Sequence, residues 1–246
     1  MDSRKLIEIL RKIGEKIIEE KDFLTELDRP IGDNDHGINM ARGFEAVTGK
    51  LDDLQDKDIG TILKTAGMTL VSTVGGSSGP LYGTLFMKMG MALKDRQEIS
   101  FPDFLEAFQV GIEGVGQRGH STVEEKTMLD SLVPSLNAMK EGYETHQDVK
   151  QALDAGAAAA AAGVEHTKEL IATKGRASYL GERSVGHQDP GATSYLFMIQ
   201  VAADCFCGET YGWYCNCISQ QSSGRKHPGL YRPDGRRGPC GGSRRQ

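Results

Sequence analysis

Three aspartates fall within eight residues, Asp28, Asp33 and Asp35, in the run Leu27-Asp28-Arg29-Pro30-Ile31-Gly32-Asp33-Asn34-Asp35-His36-Gly37. Like charges this close repel one another unless a cation joins them. Carboxylate oxygens are the hard ligands that Mg²⁺ prefers, and Mg²⁺ keeps room in its octahedral shell for water and substrate phosphate. The run therefore has the chemistry of half a metal–phosphate site. The same residue types also build an Asx turn whose carboxylates cap the next helix, and these residues alone leave both readings open.

A second cluster, Val74-Gly75-Gly76-Ser77-Ser78-Gly79-Pro80, separates two apolar segments. Its small residues sit where a helix begins, and free backbone N–H groups there favour anions. Ser77 and Ser78 add hydroxyl donors. The lysine of a P-loop is missing, and the preceding segment has helical rather than strand periodicity, so this is not a Walker A motif. Alone, the cluster is equally an interhelical turn.

A third segment, from Lys174 to Gly191, is long and polar, and carries Arg176, Arg183 and His187. It ends in Asp189-Pro190-Gly191, where Asp189 suits an N-cap and Pro190 the first helical position. Arginine suits phosphate because its planar fork donates two bonds at once, although an exposed arginine is commonly a solvated charge.

These segments, in this order, resemble the nucleotide-binding subunit of bacterial dihydroxyacetone kinases, the DhaL family. The resemblance covers about residues 1–203 and rests on Gly32 to Met40, Gly75 to Gly83, Lys126 to Asp130 and Gly175 to Ser194. It implies that Asp28, Asp33 and Asp35 hold two Mg²⁺ ions against the phosphates of a bound nucleotide. It further implies that His36, Gly37, Ile38, Asn39, Ser77, Ser78, Gly119, Met128, Arg176, Asp189, Pro190 and Gly191 line the nucleotide site, with Arg176 also serving catalysis. The implied activity is transfer of a phosphoryl group to dihydroxyacetone held on a partner subunit. ADP would act as a coenzyme, rephosphorylated to ATP by a phosphohistidine carrier of the phosphotransferase system. An ATP-dependent kinase for another ketose or triose is the alternative within enzymes, and a module docking to a transcription regulator is the alternative outside them. A homodimer stays open.

The elements that must position these residues are helical. Leu6, Leu10, Ile13 and Ile17 mark one face of a first helix, with Ser3 as its expected cap. Further helices are expected over about 36–49, 58–74, 78–94, 101–117, 124–141, 147–172 and 190–203. Short joints imply antiparallel neighbours, and the alanine run from Ala155 to Ala162 suits a helix packed closely against others. In an up-and-down arrangement alternate joints share an end. The first, third and seventh joints hold the three segments, so all lie at the same end, as does the fifth joint with Gly119. The expected fold is all-α, a closed barrel of eight antiparallel helices with the site at one rim.

Composition supports a globular body over residues 1–203: 38% of the chain is hydrophobic, and no apolar run reaches the roughly 20 residues needed to cross a bilayer. With no signal-peptide core at the N-terminus, the chain is expected in the cytoplasm, away from membranes. Residues 204–246 differ. All five cysteines and the single tryptophan lie there, and residues 201–246 carry a net charge of +4 against −9 for the rest. Cys-x-Cys pairs lack the usual zinc spacing. A basic Gly/Arg-rich end beside an acidic body does not make a nucleic-acid protein, and the segment is expected to be a disordered extension.

Overall fold

The computed structural model describes residues 1–206. Among these it contains nine α-helices: α1 (Ser3–Glu19), α2 (Lys21–Asp28), α3 (His36–Thr48), α4 (Ile59–Thr73), α5 (Ser78–Ala92), α6 (Phe101–Gly119), α7 (Leu129–His146), α8 (Val149–His166) and α9 (Pro190–Asp204). Short 3₁₀ stretches cover Leu51–Leu54 and Arg176–Ser184.

The all-α expectation holds, and all eight expected helical segments are present. The first divides at Glu20 into α1 and α2. No glycine or proline marks that break, and the apolar period runs through it from Ile17 to Leu24, both fully buried. The cap of α1 is Asp2 rather than Ser3: its carboxylate accepts from Lys5 N at 2.8 Å. Helix α7 begins later than the sequence suggests because His120, Glu124 and Lys126 adopt left-handed backbone. Helix α8 ends at His166, where the following Thr167 turns its hydroxyl to the N–H of Asp189 at 2.9 Å.

From α3 to α9 each helix packs on the next, and α1 packs on both α3 and α9, which closes the ring. Inward faces form one core that includes Leu10, Ile17, Phe44, Ile62, Tyr82 and Leu132. An apolar cavity of about 150 Å³ lies among Leu10, Ile13, Leu85, Phe86, Phe108 and Tyr195. Small residues set the closest approaches. A Cβ on Gly163 would stand 2.1 Å from the Asp130 carbonyl oxygen, so α8 can lie on α7 only without one.

The expectation for residues 204–246 falls largely outside the described residues. Within them, α9 runs to Asp204, Cys205 is buried and Phe206 packs against the core.

Candidate functional site

The joint between α2 and α3 is built around Asp28. This last residue of α2 is buried, and its Oδ2 accepts from Asp35 N at 2.9 Å and from His36 N at 3.3 Å. The seven-residue turn folds back tightly enough that a Cβ on Gly32 would meet Asp28 Oδ1 at 1.9 Å, so a side chain there would displace the Asp28 carboxylate. Asn34 adopts φ 62°, a conformation asparagine tolerates better than most residues. As a result Asp28, Asp33 and Asp35 each bring one carboxylate oxygen within 4.8 Å of the others. Only Asp33 has a salt-bridge partner among the described residues, Arg176, whose Nη2 lies 2.8 Å from Asp33 Oδ2. Three convergent carboxylates with one guanidinium between them leave net negative charge, and their hard oxygen donors fit a divalent cation such as Mg²⁺.

Behind this loop lies His36, the first residue of α3. It is buried, its Nδ1 lies 3.0 Å from Ser78 Oγ and its Nε2 lies 3.1 Å from Ser194 Oγ. Burial pulls its pKa down to about 4, outweighing the nearby Asp28 carboxylate, so the ring is neutral near pH 7. Ser194 Oγ donates to the Gly191 carbonyl at 3.0 Å. Its lone pairs are then free to accept from His36 Nε2–H, and Nδ1 accepts from the Ser78 hydroxyl. Tyr82 joins the same network, 2.7 Å from Ser194 Oγ and 2.9 Å from the Gly191 oxygen. His36 thus ties the starts of α3, α5 and α9 together as a neutral hydrogen-bonding hub.

The start of α5 is reached through Gly75 and Gly76, the latter at φ 64°. A Cβ on Gly75 would stand 3.1 Å from both Asn39 side-chain heteroatoms, so this loop lies directly on the Asn39 amide. Asp189 caps α9, accepting from Ala192 N at 2.7 Å, with Pro190 at the first helical position. Burial pushes the Asp189 carboxyl up to about 7; Asp130 and Asp28 push the same way, while the Ala192 N–H and Lys126 oppose it.

Lys126 arrives from the α6–α7 joint. It is 2% exposed, and its Nζ donates to the carbonyls of Thr167 and His187. Burial lowers its pKa, and Asp189 and Asp130 act to restore it. It pins the two ends of the α8–α9 joint to the α6–α7 joint.

These four joints enclose a cavity of about 780 Å³, within the range of small-molecule sites. Its lining includes Asp28, Asp33, Asp35, His36, Asn39, Ser77, Ser78, Gly119, Met128, Arg176, Asp189, Pro190 and Gly191. Gly37 and Ile38 do not line it: Gly37 packs against the α2 backbone at Lys21 and Thr25, and Ile38 is half exposed on α3. The lining also holds Lys126, Arg118, Ser121, Tyr82, Lys174 and Tyr179, which the sequence reading did not single out. Tyr82 had a signal, its i+4 spacing from Ser78 on α5. Lys126 opens one of the runs that carry the resemblance, but a lysine in a polar segment gives no hint that left-handed turns will bury it.

The DAK2 domain family model matches residues 30–204. The chain belongs to the DAK2 domain family. The chain is 46% identical over 198 residues to the PEP-dependent dihydroxyacetone kinase, ADP-binding subunit DhaL, of Escherichia coli K12, covering 80% of this chain and 94% of that protein. The PTS-dependent dihydroxyacetone kinase, ADP-binding subunit DhaL, of Lactococcus lactis is 42% identical, over 80% of this chain and 96% of its own length. The crystal structure of the dihydroxyacetone kinase from C. freundii in complex with AMP-PNP and Mg²⁺ superposes with a TM-score of 0.64 at 25% identity, covering 80% of this chain. This chain spans about a third of that longer one, 33%. The DAK2 match begins two residues after Asp28, so that carboxylate is supplied by the helix preceding the matched segment. No helix among the described residues of this DAK2 domain chain is long and apolar enough to cross a membrane.

Proposed function

We propose that this chain is the nucleotide-binding subunit of a dihydroxyacetone kinase, an enzyme that transfers a phosphoryl group from a Mg²⁺-bound nucleotide to dihydroxyacetone on a partner subunit. The observation that carries the reading is the convergence of three carboxylates at the mouth of a cavity large enough for a nucleotide, in a chain alike to ADP-binding subunits along nearly their whole length.

Asp28, Asp33 and Asp35 would hold the metal, taken as two Mg²⁺ ions. When bound, Mg²⁺ neutralises charge on the phosphates and on the group being transferred. The chain's own residues then position and screen. Asn39, Ser77 and the backbone N–H of Ser78 offer donors to the phosphates from the starts of α3 and α5, where helix N-termini favour anions. Arg176, 66% exposed along its side chain and reaching across to Asp33, is placed to meet charge that develops on the transferring group. Met128 and the Asp189 to Gly191 turn wall the cavity. No nucleophile is required of this chain, because the attacking hydroxyl belongs to the substrate on the partner.

ADP as a resident coenzyme, recharged by a phosphohistidine carrier, is supported by the PEP- and PTS-dependent relatives at 46% and 42% identity. Exchange of ATP is the second reading, supported by the AMP-PNP complex at 25% identity. To decide between them, the chain is purified in Mg²⁺ without added nucleotide, and acid-released ligand is identified alongside metal analysis. Stoichiometric ADP with about two Mg²⁺ per chain is expected. An empty folded chain, active only with added ATP, would support exchange. A chain that transfers no phosphoryl group under either regime, with the substrate subunit present, would sink the kinase reading.

A further inference from the structure

Arg42 lies one turn along α3 from Asn39, on the outside of the barrel, and none of its atoms lines the cavity. Its guanidinium makes two bonds in different directions. Nη2 donates to Asn39 Oδ1 at 2.7 Å, and Nε donates to the Thr73 carbonyl at 2.8 Å. Thr73 ends α4, and the chain beyond it is Val74-Gly75-Gly76-Ser77, the loop that forms one wall of the cavity.

The first bond settles the orientation of a side chain that could otherwise face either way. A primary amide presents an acceptor on one side and two donors on the other, and a guanidinium has donors only. Arg42 therefore selects the rotamer in which Asn39 Oδ1 faces outward to Arg42. The Nδ2 donors are left on the side away from Arg42; Asn39 is buried and lines the cavity, and both its side-chain heteroatoms lie under Gly75. The second bond fixes the loop that lies on that amide. Close packing of α3 against the same loop, where a Cβ on Gly43 would meet Val74 Cγ2 at 2.1 Å, holds the frame in which both bonds form.

We propose that Arg42 is a positioning residue for nucleotide binding: it locks the Asn39 amide with its N–H donors toward the phosphates and anchors the Gly75–Ser77 loop over them. This rests on the reading of the cavity as a nucleotide site. A planar fork is required because the two acceptors lie on different elements, and a lysine has one nitrogen with which to reach them.

The test is calorimetric titration of ADP at fixed Mg²⁺ into the full chain, dialysed free of nucleotide. The set is wild type, Arg42→Ala, Arg42→Lys, Asn39→Ala and the Arg42→Ala/Asn39→Ala double variant, each checked by thermal melting. Arg42→Ala is expected to weaken binding roughly tenfold or more, as loss of a bond orienting a ligating group does elsewhere. Arg42→Lys recovers only part of it. In the Asn39→Ala background, removing Arg42 costs less than it does in wild type, because the amide it orients is already gone and only the loop anchor at the Thr73 carbonyl remains to be lost. Arg42→Ala binding like wild type, full recovery by Arg42→Lys, or an equal loss from Arg42→Ala in both backgrounds overturns the proposal. Wild type that binds no ADP fails the nucleotide reading itself, a separate result.

Discussion

Arg176 Nη2 and Asp33 Oδ2 lie 2.8 Å apart, joining the 3₁₀ stretch before α9 to the acidic loop before α3. The pair is largely solvent-accessible, so its contribution to folding is within the ~0–1 kcal/mol of surface ion pairs. Its weight falls on chemistry instead. Arg176→Ala is expected to move the melting temperature by no more than about 3 °C while lowering phosphoryl transfer by a factor on the order of 10²–10³. Melting curves and turnover with the substrate subunit check both halves; a large loss of stability with intact turnover would reverse the assignment.

Metal binding should register as stability. With three carboxylates converging within 4.8 Å, Mg²⁺ at about a hundred times its dissociation constant adds ~2.7 kcal/mol to the folded state. The expected result is a Mg²⁺-dependent rise in melting temperature that chelator reverses and that Asp33→Ala and Asp35→Ala abolish. An equal rise in those variants would place the cation elsewhere.

The pH response isolates Asp189. Burial puts its carboxyl at about 7 in the fold, against ~3.9 in an unfolded chain. Between those values the folded state holds a proton that the unfolded state has released. Stability from this group is therefore full below pH ~4 and is lost as pH rises toward ~7. His36, lowered to about 4, has the opposite slope over much of the same range, so the informative quantity is a difference between variants. In chelator, Asp189→Asn should gain stability relative to wild type as pH rises from ~4 to ~7, by an amount on the order of a few kcal/mol. A pH-independent difference in chemical denaturation would show that Asp189 titrates normally.

Gly37 is expected to tolerate no side chain. A Cβ there would stand 2.0 Å from Lys21 O and 2.7 Å from Thr25 N, both rigid backbone of α2. Gly37→Ala should lower stability by ~1–3 kcal/mol or more by pushing α2 off α3, and Mg²⁺ affinity should fall with it because Asp28 ends α2. A melt unchanged from wild type would show that α2 moves freely.

A chain ending at Cys207 should melt and bind nucleotide as the full chain does, since residues 1–206 supply a closed ring of helices with the core and cavity lining described above. Weaker binding on truncation would give the remaining residues a role in the site.

Much of this molecule is legible along the chain because helical period and joint parity are local properties. Leu6, Leu10, Ile13 and Ile17 announce their buried face by spacing alone, and four odd joints must share one end of an up-and-down barrel whatever the details of packing. That suffices to gather Asp28, Ser77, Gly119 and Asp189 at one rim. What the sequence could not decide are contacts between residues far apart in the chain. The break at Glu20 is invisible because the apolar period passes through it. The burial of Lys126 depends on left-handed turns at Glu124 and Lys126 itself, and on carbonyls 41 and 61 residues away. The neutral His36 hub depends on Ser78 and Ser194, 42 and 158 residues distant. Residue types and spacing thus determine which chemistry this protein can perform and at which end. Tertiary packing determines which groups stay charged, which are neutralised by burial, and which donor faces the cavity, because desolvation and hydrogen-bond direction exist only once the helices close around the site.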